Sequence, residues 1–410
     1  MNRLFSNNGS LATTLMVLLG SVVIAAPAQA AQWSTPVQPP AGCRSTPSGA
    51  PSLALNAAGA WVIAAFAQTG TGLEAFSVSA CTSNDGVNWS GPITIGQGTS
   101  PAVAIAPDGR AVAVWQGGPA TAPNIQASIR HAGGSWSAPV VVSTVAGHPL
   151  IGMDGKGNAI AVWAGTTLAT PVATATLPAG GNWTAAKTLV AQGGGIGLAT
   201  NSVGGAIIGW RTHSGAIQAA SGTILGGLGA PVTVGSVYGG TFPVQIALND
   251  AGAASFAWRS NVSSNNIVTR TPDGTWSGVT KLSGPNAAGI DTAIDGAGNA
   301  IAAFAVTPAT PLATGTLTYV SLRKAGGTWG APTLLSALDD RGGVAVRGDS
   351  AGTFVVIWSD NAGDVEAVTI PSGGGFSSGI PVGAAPPTAV SCSSRVRPCC
   401  GRRQAYPRSR

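Results

Sequence analysis

Charge is what this chain has least of. Its 410 residues hold 20 Lys and Arg against 14 Asp and Glu, or 8% charged, where about 25% is usual in soluble domains. Lysine occurs four times and glutamate twice. Bundles, coiled coils and amphipathic helices use those two residues on their solvent faces, so all three are excluded. Tyrosine and histidine occur three times each, too few for most acid–base constellations. What the chain has in excess is glycine, 60 residues, beside 28 prolines and 44% hydrophobic content. An all-β, turn-dense globular protein is the class that remains.

The two ends read differently from the body. Arg3, the apolar run Leu15–Ala26 and the small-x-small site Ala28-Gln29-Ala30 form a secretory signal peptide over residues 1–30. That run is short for a bilayer span, and no later stretch reaches 18 apolar residues, so no integral membrane segment is expected once the leader is removed. Residues 391–410 carry six of the basic residues and no acid. This Cys/Arg-rich tail reads as a disordered extension, or a frameshifted end. With Arg3 and the tail set aside, residues 31–390 hold 13 bases against 14 acids. The body therefore offers no basic surface, and nucleic acid is not expected as a partner. Cys43 and Cys81, the two cysteines of the body, read as one disulfide in an exported chain.

Internal periodicity dominates the body. Asp/Asn-x-x-Gly, then alternating small and apolar residues, then an aromatic six after the Gly, recurs as Asp154-Gly157-Trp163, Asn201-Gly204-Trp210, Asn249-Gly252-Trp258, Asp295-Gly298-Phe304 and Asp349-Gly352-Trp358. Gly109 with Trp115 lacks the acid, and Asn56-Gly59 with Phe66 is one residue longer. A second motif, Gly-Gly-x-Trp-Ser-x-Pro, interleaves at Trp89, Trp136, Trp183, Trp276, Trp329 and Phe376; between Trp183 and Trp276, Gly226–Gly229 keeps the register without the ring.

One repeat shows four short runs, Pro101–Ala106, Ala111–Gln116, Ile125–Arg130 and Ala138–Ser143, separated by Gly, Pro and Asp turn residues. Four strands per repeat, seven times over, is the arithmetic of a seven-bladed β-propeller over residues 31–390, with four-stranded blades of about 47 residues. A parallel β-helix is the runner-up, but its rungs are shorter. Phe66, Trp115, Trp163, Trp210, Trp258, Phe304 and Trp358 are expected between adjacent blades, where a ring fills the widening wedge. Arg211 and Arg259 follow two of these rings, and period-2 alternation sends them to the opposite face, expected to be solvated. Trp33–Val37 resembles a last strand without a repeat before it, and 386–390 the opening of another repeat.

Ser83-Asn84-Asp85-Gly86-Val87-Asn88-Trp89 resembles the Asp-box of sialidase-type propellers, with one residue missing between Asp and Gly, and Thr271–Trp276 is a second degenerate copy. The body as a whole is similar to secreted bacterial repeat proteins with the pattern GNAxAVW followed by GGxWSxP. The resemblance implies a propeller; an Asp-box is a structural turn and carries no activity with it. Sialidase chemistry would need an arginine triad, a Tyr–Glu pair and an acid, whereas the body holds Glu74 and Glu366 in no such context. The three histidines share no ligand spacing. The Asp154 and Asp295 loops offer one carboxylate and one amide each where calcium wants six to eight oxygens. No catalytic, metal or cofactor site is therefore expected. The reading is an exported, non-catalytic, monomeric scaffold that binds a glycan or a protein in the periplasm, at the cell surface or in the medium. The alternatives are a divergent glycoside hydrolase and a truncated product without selected activity.

Overall fold

The computed structural model describes residues 39–43, 52–56, 59–68, 76–237, 242–260, 264–308, 315–336, 340–360, 365–371 and 380–383, all within the unit Thr35–Arg410. The expected leader 1–30, the strand-like Trp33–Val37, Glu74, 386–390 and the tail-like 391–410 lie outside the described residues, as does the Phe66 side chain. After a short 3-10 turn at Ala41–Cys43, the described chain is all strand and turn.

Strands follow one another into seven antiparallel sheets, the blades, each ordered as in sequence. Blade 1 holds β1 (Ser52–Leu55), β2 (Trp61–Gln68), β3 (Phe76–Ser83) and β4 (Trp89–Gln97). Blade 2 holds β5 (Thr99–Ile105), β6 (Ala111–Gly117), β7 (Asn124–Arg130) and β8 (Val140–Ser143). Blade 3 runs through β9 (His148–Met153), β10 (Ala159–Ala164), β11 (Val172–Leu177) and β12 (Lys187–Val190). Blade 4 has β13 (Gly193–Thr200), β14 (Gly205–Thr212), β15 (Ala216–Thr223), β16 (Gly227–Leu228) and β17 (Val232–Ser236). In blade 5 these are β18 (Gln245–Leu248), β19 (Ala254–Ser260), β20 (Ser264–Arg270) and β21 (Thr280–Lys281). Blade 6 has β22 (Ala287–Ile294), β23 (Ala300–Val306), β24 (Leu317–Arg323) and β25 (Thr333–Leu334), and blade 7 has β26 (Asp340–Gly348), β27 (Thr353–Asp360), β28 (Val365–Pro371) and β29 (Ile380–Gly383).

Six blades are four-stranded; blade 4 has a fifth strand because β16 and β17 both pair with β15. Its outer hairpin is the one whose motif has no aromatic ring. Leu228 takes up the packing there, against the cluster around Trp210. In blades 2, 5 and 6 the corresponding places against the inter-blade clusters belong to Trp136, Trp276 and Trp329.

The Asp/Asn-x-x-Gly motif closes the first hairpin of each blade. The motif glycine has positive φ in all seven copies, +82° to +97°, at Gly59, Gly109, Gly157, Gly204, Gly252, Gly298 and Gly352, a region that costs an L side chain about 1 kcal/mol or more. In blade 3 the Gly157 N–H returns to the Asp154 carbonyl (3.1 Å), and Asp154 Oδ1 accepts the Asn158 N–H (2.8 Å).

Burial of the rings follows from the same repeat. Each lies in an apolar cluster shared with the preceding blade: Trp115 with Val62 and Val78, Trp163 with Val112 and Ile125, Trp210 with Ile160 and Val172. Trp258 meets Ile207 and Ile217, Phe304 meets Ile267, and Trp358 meets Ile301 and Val320. Glycines on the preceding outer strand make room: a Cβ on Gly96 would overlap the Trp115 ring, and one on Gly235 the Trp258 ring. The indole N–H groups of Trp163, Trp210, Trp258 and Trp358 find no partner, so the ring area, and not the polar atom, is what the site uses. Phenylalanine can therefore stand at 304.

The first hairpins of blades 1 to 6 also clip each of those blades to the next. Where the motif begins with Asn, its side-chain amide donates across the junction, Asn56 Nδ2 to Ala106 O (2.9 Å), Asn201 Nδ2 to Asn249 O (2.8 Å) and Asn249 Nδ2 to Asp295 O (2.9 Å). Asp has no such donor. The Asp copies of blades 3 and 6 use the N–H of the glycine that follows, Gly155 to Ser202 O (2.9 Å) and Gly296 to Ser350 O (3.2 Å). Blade 2, which has neither residue at that position, sends the Arg110 guanidinium to Gly157 O. The Cys43–Cys81 disulfide ties the 39–43 segment to β3, beside Ile63 and Trp89.

Two outcomes test this packing. Trp163→Ala is expected to lower unfolding free energy by about 3–5 kcal/mol, read by urea denaturation. Asn249→Asp removes one clip and sets a carboxylate oxygen against the Asp295 carbonyl, which keeps only the Gly298 N–H (3.1 Å), a loss of about 1–3 kcal/mol in the same assay; an unchanged midpoint would show that the clip adds nothing.

Candidate functional site: the central cavity

The first strands of blades 3 to 7 converge on one cavity of about 790 Å³, lined by β9, β13, β18, β22 and β26. His148 of blade 3 and Arg347 of blade 7 both face it. Blades four repeats apart could not share a wall in an open stack, so the repeats lie around a common axis. Each lining strand is the end strand of its sheet. One edge of its backbone is hydrogen-bonded within the blade and the other is turned to the cavity. Small residues let these edges crowd together: a Cβ on Gly152 would overlap Thr200, and one on Gly197 would overlap the Val244 carbonyl. The result is a wall of peptide N–H and C=O groups with Thr200 and Gln245 among the side chains.

One ion pair enters this wall. Arg347 Nη1 donates to Asp291 Oδ2 (2.8 Å) across the junction of blades 6 and 7, the arginine side chain 80% exposed and the aspartate 11%. Asp291 also accepts the Val346 N–H at Oδ2 (2.9 Å) and the Thr292 N–H at Oδ1 (2.9 Å). Burial raises the Asp291 pKa, opposed by the charge of Arg347 and these donors. Both oxygens are thus occupied, and the guanidinium is braced at the cavity surface. Neither residue was singled out from sequence. The signal was present in each case as a charge inside a run of small and apolar residues, AAGIDTAI and GGVAVRG.

The expectation that Arg211 and Arg259 face solvent is corrected. Arg211 is 8% exposed, with its Nε unpartnered. The Arg259 guanidinium stacks on Phe242, Cζ lying 3.4 Å from the ring centroid, and Nη1 donates to Ala288 O in blade 6. Burial lowers its pKa. The physical reason is that both faces of a blade meet neighbours. Alternation moves a side chain from the preceding junction to the following one, and not from core to water.

The remaining sequence candidates stay apart. Glu366 stands on β28 opposite Trp358, two strands from the cavity-lining β26. The Asp154 carboxylate accepts from Lys156 N, Asn158 N and Asn158 Nδ2 at 2.7 to 2.9 Å, and Asp295 accepts likewise from Asn299. Among the described residues no group of three or more His, Cys, Asp or Glu could hold a metal. Asp85 closes the β3–β4 turn, accepting Val87 N (2.8 Å), Asn88 N (2.7 Å) and Asn88 Nδ2 (2.7 Å), while Trp89 Nε1 donates to Gly86 O (3.1 Å). Donation from Asn88, then from Val87 and Ser83, holds the Asp85 carboxyl well below the usual range. Among the described residues no helix is long and apolar enough to cross a membrane.

No protein-family model matches the chain, and no curated protein matches it in sequence. Solved structures do match in fold. The BP39L lectin from Burkholderia pseudomallei superposes with a TM-score of 0.57 at 12% identity, covering 81% of this chain and 99% of that one. A lectin from Aleuria aurantia in complex with Fucα1-6GlcNAc has a TM-score of 0.42 at 12% identity, over 85% of this chain and 99% of that one. The intramolecular trans-sialidase from Ruminococcus gnavus has 0.43 at 12% identity, over 78% and 91%. At these identities the likeness concerns the fold alone.

Asp291 and Asp85 should titrate in opposite senses in a carbon-detected NMR experiment, Asp291 above and Asp85 below the ordinary value of 3.8. Asp85 then stabilises the fold at pH above that value, and its contribution disappears as pH falls through its folded pKa. The Asp291 contribution is complete below the ordinary value and is lost as pH rises through its folded pKa. Identical titrations would refute the assigned environments.

Proposed function

We propose that this protein is an exported, monomeric, non-catalytic β-propeller that binds a neutral glycan in its central cavity. The observation that carries the reading is the set of five strand edges turned into one cavity of about 790 Å³, inside the range of roughly 300–1,000 Å³ usual for ligand sites. Peptide N–H and C=O groups, with threonine and glutamine beside them, match hydroxyls and acetamides, which both donate and accept. A carboxylate acting as acid or nucleophile needs a free oxygen and, for glycoside cleavage, a second carboxylate about 5–9.5 Å away. Asp291 has both oxygens engaged, which favours binding over hydrolysis. The disulfide agrees with an oxidising compartment. The fold is also that of the BP39L lectin, a binding protein by its name.

A glycan array probed with the intact protein, followed by calorimetry on the best neutral oligosaccharide, tests this. The affinity is expected to hold steady from low to high salt, since a neutral ligand has no charge to screen. A blank array, cleavage of the bound glycan, or a strong salt dependence would overturn the reading.

A further inference from the structure

Six junctions are each sealed by an apolar cluster, from that of blades 1 and 2 to that of blades 6 and 7. Among the described residues no such cluster joins blade 7 to blade 1. Val62 and Ala64 of β2 turn to blade 2, and Ile63 between them turns the other way, where Cys43 of the disulfide-held 39–43 segment packs beside it. Leu53 pairs with Ile63 and Leu55 with Trp61, so both leucines share that side of blade 1. Both are exposed.

Blade 7 leaves the matching face open. Phe354, Val356 and Trp358 of β27 pack on blade 6, which sends Val355 and Ile357 to the opposite side, with Ala345 directly across from Ile357. Ile357, the residue before the motif ring, is 37% exposed. Its counterparts in blades 2, 3, 5 and 6 are Val114, Val162, Ala257 and Ala303, each 0% exposed in the cluster shared with the blade that follows. The repeat therefore shapes this side of β27 for an inner strand that blade 1 does not supply.

The chain holds such a strand where the repeat calls for one. One residue, Gly98, separates β4 from β5, and Thr144–Gly147 separate β8 from β9. β29 ends at Gly383, and after Ala384-Ala385 the sequence reads Pro386-Pro387-Thr388-Ala389-Val390, which resembles Ser100-Pro101-Ala102-Val103 at the start of blade 2. With the two Ala-Val pairs aligned, Val390 takes the place of Val103, which packs back on Val62 and Val78 of blade 1. Ala389 takes that of Ala102, which turns forward to blade 3.

We propose that residues 386–390 dock on the open face of blade 7, with Val390 over Val355 and Ile357, as the inner strand of an eighth place in the ring. A second copy of the chain is the less favoured occupant. The segment is tethered two residues from β29, and a short tether holds it at an effective concentration on the order of millimolar. The inference is independent of what the central cavity binds.

The test is methyl NMR on the intact protein labelled at isoleucine and valine. The Val390 methyls should show nuclear Overhauser contacts to Ile357 or Val355. Val390→Asp should shift the Ile357 methyl signal, and Ala389→Asp should leave it in place. Both substitutions lie outside the seven blades, so neither removes a residue from a described junction. In a mixture of labelled and unlabelled chains the contacts should stay within one chain. Val390 methyls at random-coil positions without contacts would overturn the proposal. Equal effects of the two aspartate variants on Ile357, or contacts that run between chains, would overturn it as well.

Discussion

Every blade of this protein is a sheet one layer thick, so its core exists only at its junctions with other blades. The constraint that governs the structure is that a ring from one blade must fill the junction with the blade before it, and at two junctions a glycine makes the room, Gly96 for Trp115 and Gly235 for Trp258. A large ring alone would hold the sheets apart, and a glycine alone would leave a void of the kind that costs a few kcal/mol. The pair fills a wedge that is narrow near the axis and wide outside. It also explains why small residues dominate the inner strands, where β9, β13 and β18 come close enough that Gly152 and Gly197 have no room for a side chain.

Hydrogen bonds at the first hairpins add direction to that apolar packing. The side-chain amides of Asn56, Asn201 and Asn249, the backbone of Gly155 and Gly296, and the guanidinium of Arg110 all reach the hairpin of the following blade. Three chemically different donors do one task, because the requirement is a donor at a fixed place and not a particular residue. The same tolerance appears at blade 4, where Leu228 and a two-residue strand replace a tryptophan. Such exchange is what lets a repeat drift in sequence while the ring of blades persists.

Function in this architecture draws on what the packing leaves over. The inner strands have one edge without a strand partner, and together these edges make the wall of the central cavity. That wall is polar and almost uncharged, in keeping with a chain that has very few ionisable groups. The one exception, Asp291 with Arg347, is tied into the wall by backbone donors on either side of a blade junction.

The sequence by itself determined the blade. A spacing near 47 residues, a glycine at each turn that needs positive φ, and alternation around each aromatic are local properties, and local properties are legible along a chain. The four strands of blade 2 fall within two residues of the runs that periodicity marks. Only the tertiary structure decided where charges go. Alternation correctly turned Arg211 and Arg259 away from the rings but could not reveal that a second blade waits on that side. Nor could it bring Asp291 to Arg347, 56 residues apart, or leave the Asn124 Oδ1 without a partner. Those facts depend on how neighbouring sheets meet, and a pattern with period two describes a single sheet.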